Sequence, residues 1–392
     1  MKYIDQLNLT NKRVFIRADL DVPIAENKTV ANDTRIRALL PTLNYAIEHG
    51  AKIILAAHMG RPKGEKNPKY SLAPVAEHLK KLVSADIIMA NDCIGDEVRA
   101  KVNNLKPKQI LVLENLRFYL DEEKNNPDFS KQLASLCDVY INDAFATSHR
   151  AHASSAGMAA FVAEKAGGFN LKKELEYFDK AMKTPKRPLA TIFGGAKVST
   201  KMDAIKNVGK TADIIVIGGA MANTFFVADG LNVGKSLYEP EEVENAKNIA
   251  RELKAGGCKL ILPVDVVVAE KLESGVPTKT VAINNIGDNE MALDIGPKSV
   301  QLIADALKEA NTIVWNGPVG AFETKEFSNG TYSVVDLLVN SKALTVVGGG
   351  DTDRALHDKH AMDKMGYVST AGGAFLELLE GKTLPAVQAL EA

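Results

Sequence analysis

Short apolar runs rich in β-branched residues alternate with amphipathic stretches along this chain. They are Val14-Phe15-Ile16, Ile53-Ile54-Leu55, Leu111-Val112-Leu113 and Val139-Tyr140-Ile141, then Thr191-Ile192-Phe193, Ile214 to Ile217, Ile313-Val314-Trp315 and Val346-Val347. Runs this short, separated by helical periodicity, predict buried strands of parallel sheets joined by helical crossovers. Between the first two runs, Ile36, Leu39, Leu40, Leu43 and Ile47 share one helical face, with Asp33 as N-cap and Gly50 as the stop. Arg35 then falls in the first turn, near the strand ends, and Arg37 faces solvent. Leu171, Leu175, Phe178 and Met182 mark another helix, which Pro185 and Pro188 end before the strand at Thr191. A helix over 170–185 between two strand-helix series predicts a hinge. The fold class is therefore α/β: two doubly wound parallel-sheet, Rossmann-like domains joined by a hinge helix.

The residues at the strand ends differ between the halves. In the first, the strands run into Arg17-Ala18-Asp19-Leu20-Asp21, His58-Met59-Gly60-Arg61, Glu114-Asn115-Leu116-Arg117, and Asn142-Asp143 followed by Ser148-His149-Arg150. Parallel sheets bind ligands beyond the carboxyl ends of their strands, so these cations converge on one crevice suited to a small, strongly anionic ligand. In the second half the strand ends carry Gly194-Gly195-Ala196-Lys197, Gly218-Gly219, Asn316-Gly317-Pro318 and Gly348-Gly349-Gly350-Asp351-Thr352. Glycine permits close backbone approach and the following helix points its positive end at the same place, which predicts a site for phosphate chains. Lys197 and Lys201 lie four apart where a helix is expected to begin, placing both amines on one face.

Composition narrows the class. The 392 residues suffice for two or three domains, and a net charge of -1 favours neither nucleic acid nor an anionic membrane. Cys93, Cys137 and Cys258 lack paired or metal-type spacing, which predicts buried thiols in a reducing cytoplasm. Ile214 to Ala228, the longest apolar region, is short for a membrane span and contains Gly218, Gly219 and Asn223, so it reads as strand, turn and helix. Gly234-Lys235-Ser236 resembles the end of a P-loop, but Asp229 stands where the first glycine belongs. The Gly348 loop has Asp353 where a dinucleotide fingerprint needs its third glycine, which weakens a nicotinamide dehydrogenase reading. His149 and His152 read as ion-pairing or packing residues ahead of a metal pair.

Taken in order, these motifs resemble the phosphoglycerate kinase family from end to end. They are Arg17 to Pro23, Asp33 to Ile36, His58 to Pro62, Glu114 to Phe118, Asn142 to Phe145, His149 to Ser154, Gly194 to Val198, Trp315 to Pro318, Gly349 to Thr352 and Leu376 to Gly381. The resemblance implies an N-terminal domain over 1–169, with a tail over 378–392 packing back on it, that binds 3-phosphoglycerate or 1,3-bisphosphoglycerate. It implies a C-terminal domain over 170–377 that binds Mg-ADP or Mg-ATP, and a cytoplasmic monomer with no nucleic-acid or membrane partner.

The substrate set carried over is Asp19, Leu20, Asp21, Arg35, His58, Met59, Gly60, Arg61, Arg117 and Arg150. The nucleotide set is Lys197, Lys201, Gly219, Asn316, Glu323, Gly349, Gly350, Asp351 and Thr352, with Asp351 toward magnesium. Arg35, Lys197, Gly350 and Gly373 take the catalytic roles. In-line phosphoryl transfer needs charge compensation more than covalent help, and a carboxylate nucleophile needs no base. Three stretches depart from the family pattern: Asp21 in place of the usual Asn, Phe145-Ala146-Thr147-Ser148, and Ala371-Gly372-Gly373-Ala374-Phe375. A carboxylate about 5.5 Å from a substrate anion is repelled by roughly 3 kcal/mol at an effective dielectric of about 20, so Asp21 is expected either to pair with a neighbouring arginine, Arg17 or Arg150, or to turn away from the substrate, and pairing is the favoured outcome. A sensor of phosphorylated metabolites would keep the arginines without needing Lys197, Glu323 and Asp351 together.

Overall fold

The computed structural model describes residues 1–392. It divides into two compact units, Met1–Leu175 with Thr383–Ala392, and Glu176–Lys382. The division falls within the helix Phe169–Phe178. The first turn of that helix goes with the first unit because Leu171 is fully buried and its N–H donates to Asp143 Oδ1 at 2.9 Å.

The first unit contains β1 (Arg13–Ala18), β2 (Lys52–Ala56), β3 (Ile87–Met89), β4 (Ile110–Val112), β5 (Val139–Asp143) and β6 (Glu164–Gly167). They form one parallel sheet in the order β3-β4-β2-β1-β5-β6. Val14 and Ile16 of β1 pack with Ile36, Leu39 and Leu43 of the helix Thr34–Glu48 on one face. Phe15 meets Tyr140 on the other, their ring centroids 6.2 Å apart. Burial on both faces explains why these strands read as continuous apolar runs. Asp33 does occupy the N-cap position, but its carboxylate bonds Arg37 at 2.9 Å and His78 at 3.0 Å in place of the helix amides. The tail forms the helix Pro385–Glu391, whose Ala386 N–H donates to Ser148 O at 3.1 Å while Leu384, Ala386 and Leu390 are buried.

The second unit contains β7 (Leu189–Phe193), β8 (Ile214–Ile217), β9 (Lys259–Ile261), β10 (Asp265–Ala269), β11 (Lys279–Ala282), β12 (Met291–Ile295), β13 (Thr312–Asn316), β14 (Leu344–Val347) and β15 (Tyr367–Val368). A parallel sheet runs β15-β14-β13-β7-β8-β9, and β11-β10-β12 form a separate antiparallel sheet that the sequence pattern had not disclosed. In each parallel sheet the chain winds outward from one strand in both directions, β1 lying between β2 and β5, and β7 between β8 and β13. Those are the two switch points where loops diverge and leave a crevice. No helix is long and apolar enough to cross a membrane. Ile214 to Ala228 is β8, a turn and the helix Met221–Ala228.

Candidate active site

In the first unit the strand ends gather the expected cations around β1. Arg17 is fully buried, with Nε donating to Ser154 Oγ at 2.8 Å and Nη2 lying 3.2 Å from His58 Nδ1. Arg35 reaches over from the first turn of its helix, and its Nη1 donates to Asp19 Oδ1 at 3.2 Å and to the Asp21 carbonyl at 3.0 Å. Asp19 is buried and its Oδ2 has no protein partner. Burial raises the Asp19 pKa, opposed by Arg35 and then Arg17. Arg117 is buried after β4, donates from Nη1 to Gly60 O at 2.9 Å and lies 3.4 Å from Glu123, and burial lowers its pKa. Arg150 is half-buried beside His149, and Arg61 is exposed.

These cations repel one another strongly enough to show in their neighbours. His58 is pushed well below the usual histidine range by burial, then by Arg17, Arg117, His152 and Arg35. His152 falls to about 3 through burial, Arg117, Arg17 and Arg150. Such a crowd of positive charge is relieved by an anion, and the neutral imidazoles add hydrogen-bonding capacity without adding to the repulsion.

Asp21 does not pair with Arg17 or Arg150. Its Oδ1 accepts the Gly60 N–H at 2.9 Å and its Oδ2 lies 3.7 Å from His58 Nε2. Arg17 cannot serve because Ser154, His58 and the Ala18 carbonyl already hold its guanidinium. Gly60 has φ +59°, and a Cβ there would lie 2.4 Å from the Tyr70 ring. The turn carrying Met59 and Arg61 is therefore closed by close packing. Asn115, to which the sequence pattern assigned no role, is the knot behind it. Buried after β4, it accepts the Met59 and Arg117 amides at 3.2 and 3.0 Å, and donates to Met59 O and Tyr70 O at 2.7 and 2.9 Å. Met59 and Leu20 are themselves buried, so only their backbones can reach a ligand.

In the second unit the glycine-rich strand ends serve two different purposes. A Cβ on Gly194 would lie 2.1 Å from Pro318 O, one on Gly317 2.2 Å from Gly194 O, and one on Gly219 2.8 Å from Gly195 N. These glycines pack the loops after β7, β8 and β13 against one another, contrary to the expectation that all of them cradle phosphate. The loop after β14 is different. At Gly350, the first residue of the helix Gly350–Asp358, a Cβ would meet nothing within 4 Å. Beside it starts the helix Gly372–Leu379, close enough that a Cβ on Gly372 would lie 3.4 Å from Gly349 Cα. Neither N-terminus has a side-chain cap, and Gly373 is exposed in the first turn of the second. Two uncapped helix N-termini side by side form a cradle of amide donors for an anion.

The lysines are arranged otherwise than expected. The helix after β7 begins only at Met202, so Lys197 lies in the preceding loop, exposed, and shares no helical face with Lys201. Lys201 turns inward, and its Nζ donates to Gly194 O at 2.6 Å and Asn316 O at 2.9 Å. Burial lowers its pKa to about 8, with Asp351 opposing. Asn316 Nδ2 donates to Gly348 O at 2.7 Å, and Thr352 Oγ1 bonds Gly348 O and Gly349 O at 3.0 and 2.7 Å, so both side chains shape the β14 loop. Asp351 and Glu323 are exposed. The P-loop-like Ser236 accepts the Ala292 N–H at 2.8 Å and ties a loop to β12.

Residues 4–382 match the family model described as phosphoglycerate kinase. The chain belongs to the phosphoglycerate kinase family. It is accordingly a phosphotransferase of glycolysis. A phosphoglycerate kinase of Geobacter sp. (strain M21) is 51% identical over 392 residues, covering 100% of this chain and 98% of its own. That of Syntrophobacter fumaroxidans is 50% identical over 391 residues, covering 100% and 98%. Among solved structures, phosphoglycerate kinase from Coxiella burnetii superposes with a TM-score of 0.90 at 41% identity, covering 99% of this chain and 98% of its own. The enzyme from Pyrococcus horikoshii superposes at 0.80 with 32% identity, covering 100% and 98%. An asparagine at position 21, the residue expected from the resemblance, would accept the Gly60 N–H through its amide oxygen equally well. Phe375, another departure, is a core residue, its ring 6.0 Å from that of Phe178.

Proposed function

We propose that the chain catalyses reversible phosphoryl transfer between 1,3-bisphosphoglycerate and ADP as a cytoplasmic monomer, with the substrate on the first unit and the nucleotide on the second. The observation that carries this reading is the gathering of Arg17, Arg35 and Arg117 around Asp19, only partly balanced by Asp19, Asp21 and Glu123, which an anionic ligand would relieve. Arg61, Arg117, Arg150 and the neutral His58 would hold the non-transferred phosphate. Asp19 Oδ2, a buried acceptor without a protein partner, suits the substrate hydroxyl. The N-termini at Gly350 and Gly372 would hold the nucleotide phosphates. Glu323 would take the ribose, with Lys201, Asn316, Thr352 and Gly219 shaping the site.

Asp351 fits a magnesium nucleotide. Its carboxylate is exposed in the first turn of the phosphate-facing helix and takes part in no ion pair or hydrogen bond, and a hard divalent cation prefers one or two such oxygens beside phosphate. When bound, the metal supplies charge neutralisation for the phosphate chain. Arg35 and Lys197 would compensate the charge on the moving group, with Gly350 and Gly373 offering amide donors. Transfer requires the reacting atoms about 3 to 3.5 Å apart and water excluded, so it would need both ligands bound. A coupled assay with 3-phosphoglycerate and Mg-ATP tests the reading. We expect turnover that needs all three components, and its absence in folded protein would overturn the assignment.

A further inference from the structure

In the buried network behind His58 the proton of the Arg17–His58 contact can be placed from chemistry alone, while burial raises the Glu122 pKa against Arg17 and the two Ser154 hydrogen bonds. Arginine has only donors and an ionised carboxylate only acceptors. Glu122 is fully buried, and its two oxygens accept the Ser154 hydroxyl at 2.6 Å and the Ser154 amide at 2.9 Å. Ser154 Oγ, its hydrogen committed to Glu122, has lone pairs left for Arg17 Nε at 2.8 Å. Arg17 Nη2 must then be the donor in its 3.2 Å contact with His58 Nδ1. An Nδ1 that accepts leaves the ring's single proton on Nε2, the atom that faces Asp21 and the crevice.

We propose that Arg17 is a positioning residue for the phosphorylated substrate: through Ser154 and Glu122 it holds His58 as the neutral Nε2–H tautomer, so that the imidazole presents a fixed donor to the anion. This rests on the reading that His58 contacts the substrate. A free imidazole divides its proton between two nitrogens, and the Nδ1–H part of that population would aim a lone pair at an anion. The groups facing the ring are Arg17 from β1, Arg35 from the first helix, Arg117 after β4, His152 after β5 and Asp21. Four of these five disfavour a charged imidazole, so the tautomer is retained as pH falls. Glu122 and Ser154 act one step further back. They fix the rotation of a guanidinium that has three separate contacts, including the Ala18 carbonyl.

The test is ¹⁵N NMR of the full chain labelled at histidine, with the His58 signals assigned by their loss in His58→Gln. The expected spectrum has Nδ1 bare and Nε2 protonated from about pH 8 down to about pH 5.5. An Nδ1–H tautomer, or a titration midpoint near the ordinary value, overturns the proposal without any change being made at Arg17. In kinetics, Arg17→Met should raise the KM for 3-phosphoglycerate about tenfold at pH 8, the scale of one hydrogen bond to a charged group, while kcat stays within about threefold. With Arg17 gone, protonation of His58 becomes easier, so the ratio of variant to wild-type KM should fall as pH is lowered. Taking the ratio cancels the substrate's own titration. A ratio that stays flat, or a KM equal to wild type, refutes the positioning role. Ser154→Ala, a smaller change, should show the same trend with reduced size if Arg17→Met does not fold, and no trend in it counts against the proposal. If His58→Gln leaves the KM unchanged, the substrate-contact reading fails while the tautomer result stands, so the two failures are distinct.

Discussion

Gly350→Ala separates a glycine kept for a ligand from one kept for packing. At Gly350 a Cβ meets no atom within 4 Å, and the residue opens the helix Gly350–Asp358. Its φ is not in the left-handed region, so alanine incurs no backbone strain, and replacing glycine in a helix gains roughly 0.5 to 1 kcal/mol. For a unit of this size that corresponds to a melting point about one to four degrees higher. If the proposed amide cradle with Gly372 holds phosphate, the added methyl at its first residue should crowd it, and each hydrogen bond lost to a charged phosphate costs about 1.5 to 3 kcal/mol, roughly 10- to 150-fold in affinity. Differential scanning calorimetry of the free protein and isothermal titration with Mg-ADP measure the two effects separately. The expected outcome is a variant at least as stable as wild type that binds Mg-ADP at least tenfold more weakly and binds 3-phosphoglycerate normally. Unchanged Mg-ADP affinity would refute the phosphate cradle. Gly219→Ala is the contrasting control: its φ is +69° and its Cβ would lie 2.8 Å from Gly195 N, so about 1 to 3 kcal/mol of stability should be lost.

Arg35→Ala should lower kcat by about 10² to 10³ with a smaller change in KM, as loss of a donor to the transition state does; a purely raised KM would remove it from that role. Asp351→Asn should weaken Mg-ATP binding while 3-phosphoglycerate affinity persists, and the reverse pattern in calorimetry would contradict the division of sites between the units. Asp21→Asn keeps an oxygen for the Gly60 N–H, so 3-phosphoglycerate affinity should stay within about threefold, and a tenfold gain would mean that the carboxylate faces the ligand uncompensated. Burial raises the Asp143 pKa from 3.8 to about 7 against its Leu171, Thr42 and Asn170 contacts. The folded state then holds a proton that the unfolded state releases, so this contribution to stability is present at low pH and is lost as pH rises through about 7. Melting curves of Asp143→Asn should show a shallower decline between about pH 4 and 7 than wild type; parallel curves would place the carboxylate in the ionised state throughout.

Features that depend on neighbours along the chain were legible in the residues themselves. The eight apolar runs are strands because β-branched and apolar residues without a polar alternation suit a sheet covered on both faces. The spacing from Ile36 to Ile47 is a helix face, and arginines directly after strands must lie at the carboxyl edge of a parallel sheet. The strands β10, β11 and β12 were not legible at all: β11, Lys279–Ala282, is mostly exposed and mixed in polarity, and it is a strand only because it pairs with β10.

Partner choice belonged to the tertiary structure. A Coulomb argument demanded compensation for Asp21, yet a backbone amide 39 positions away supplied it, because Arg17 was already committed to Ser154 and His58. Likewise Gly194, Gly219 and Gly350 look alike as residues, but the first two are enclosed by facing backbone and the third borders open space. Lys201 was expected beside Lys197 on a helix that in fact starts one residue later, and its amine bonds the carbonyls that end β7 and β13. Local sequence sets which conformations and which charges can be used. Which donor meets which acceptor depends on residues brought together from distant parts of the chain, and only the packed fold decides it.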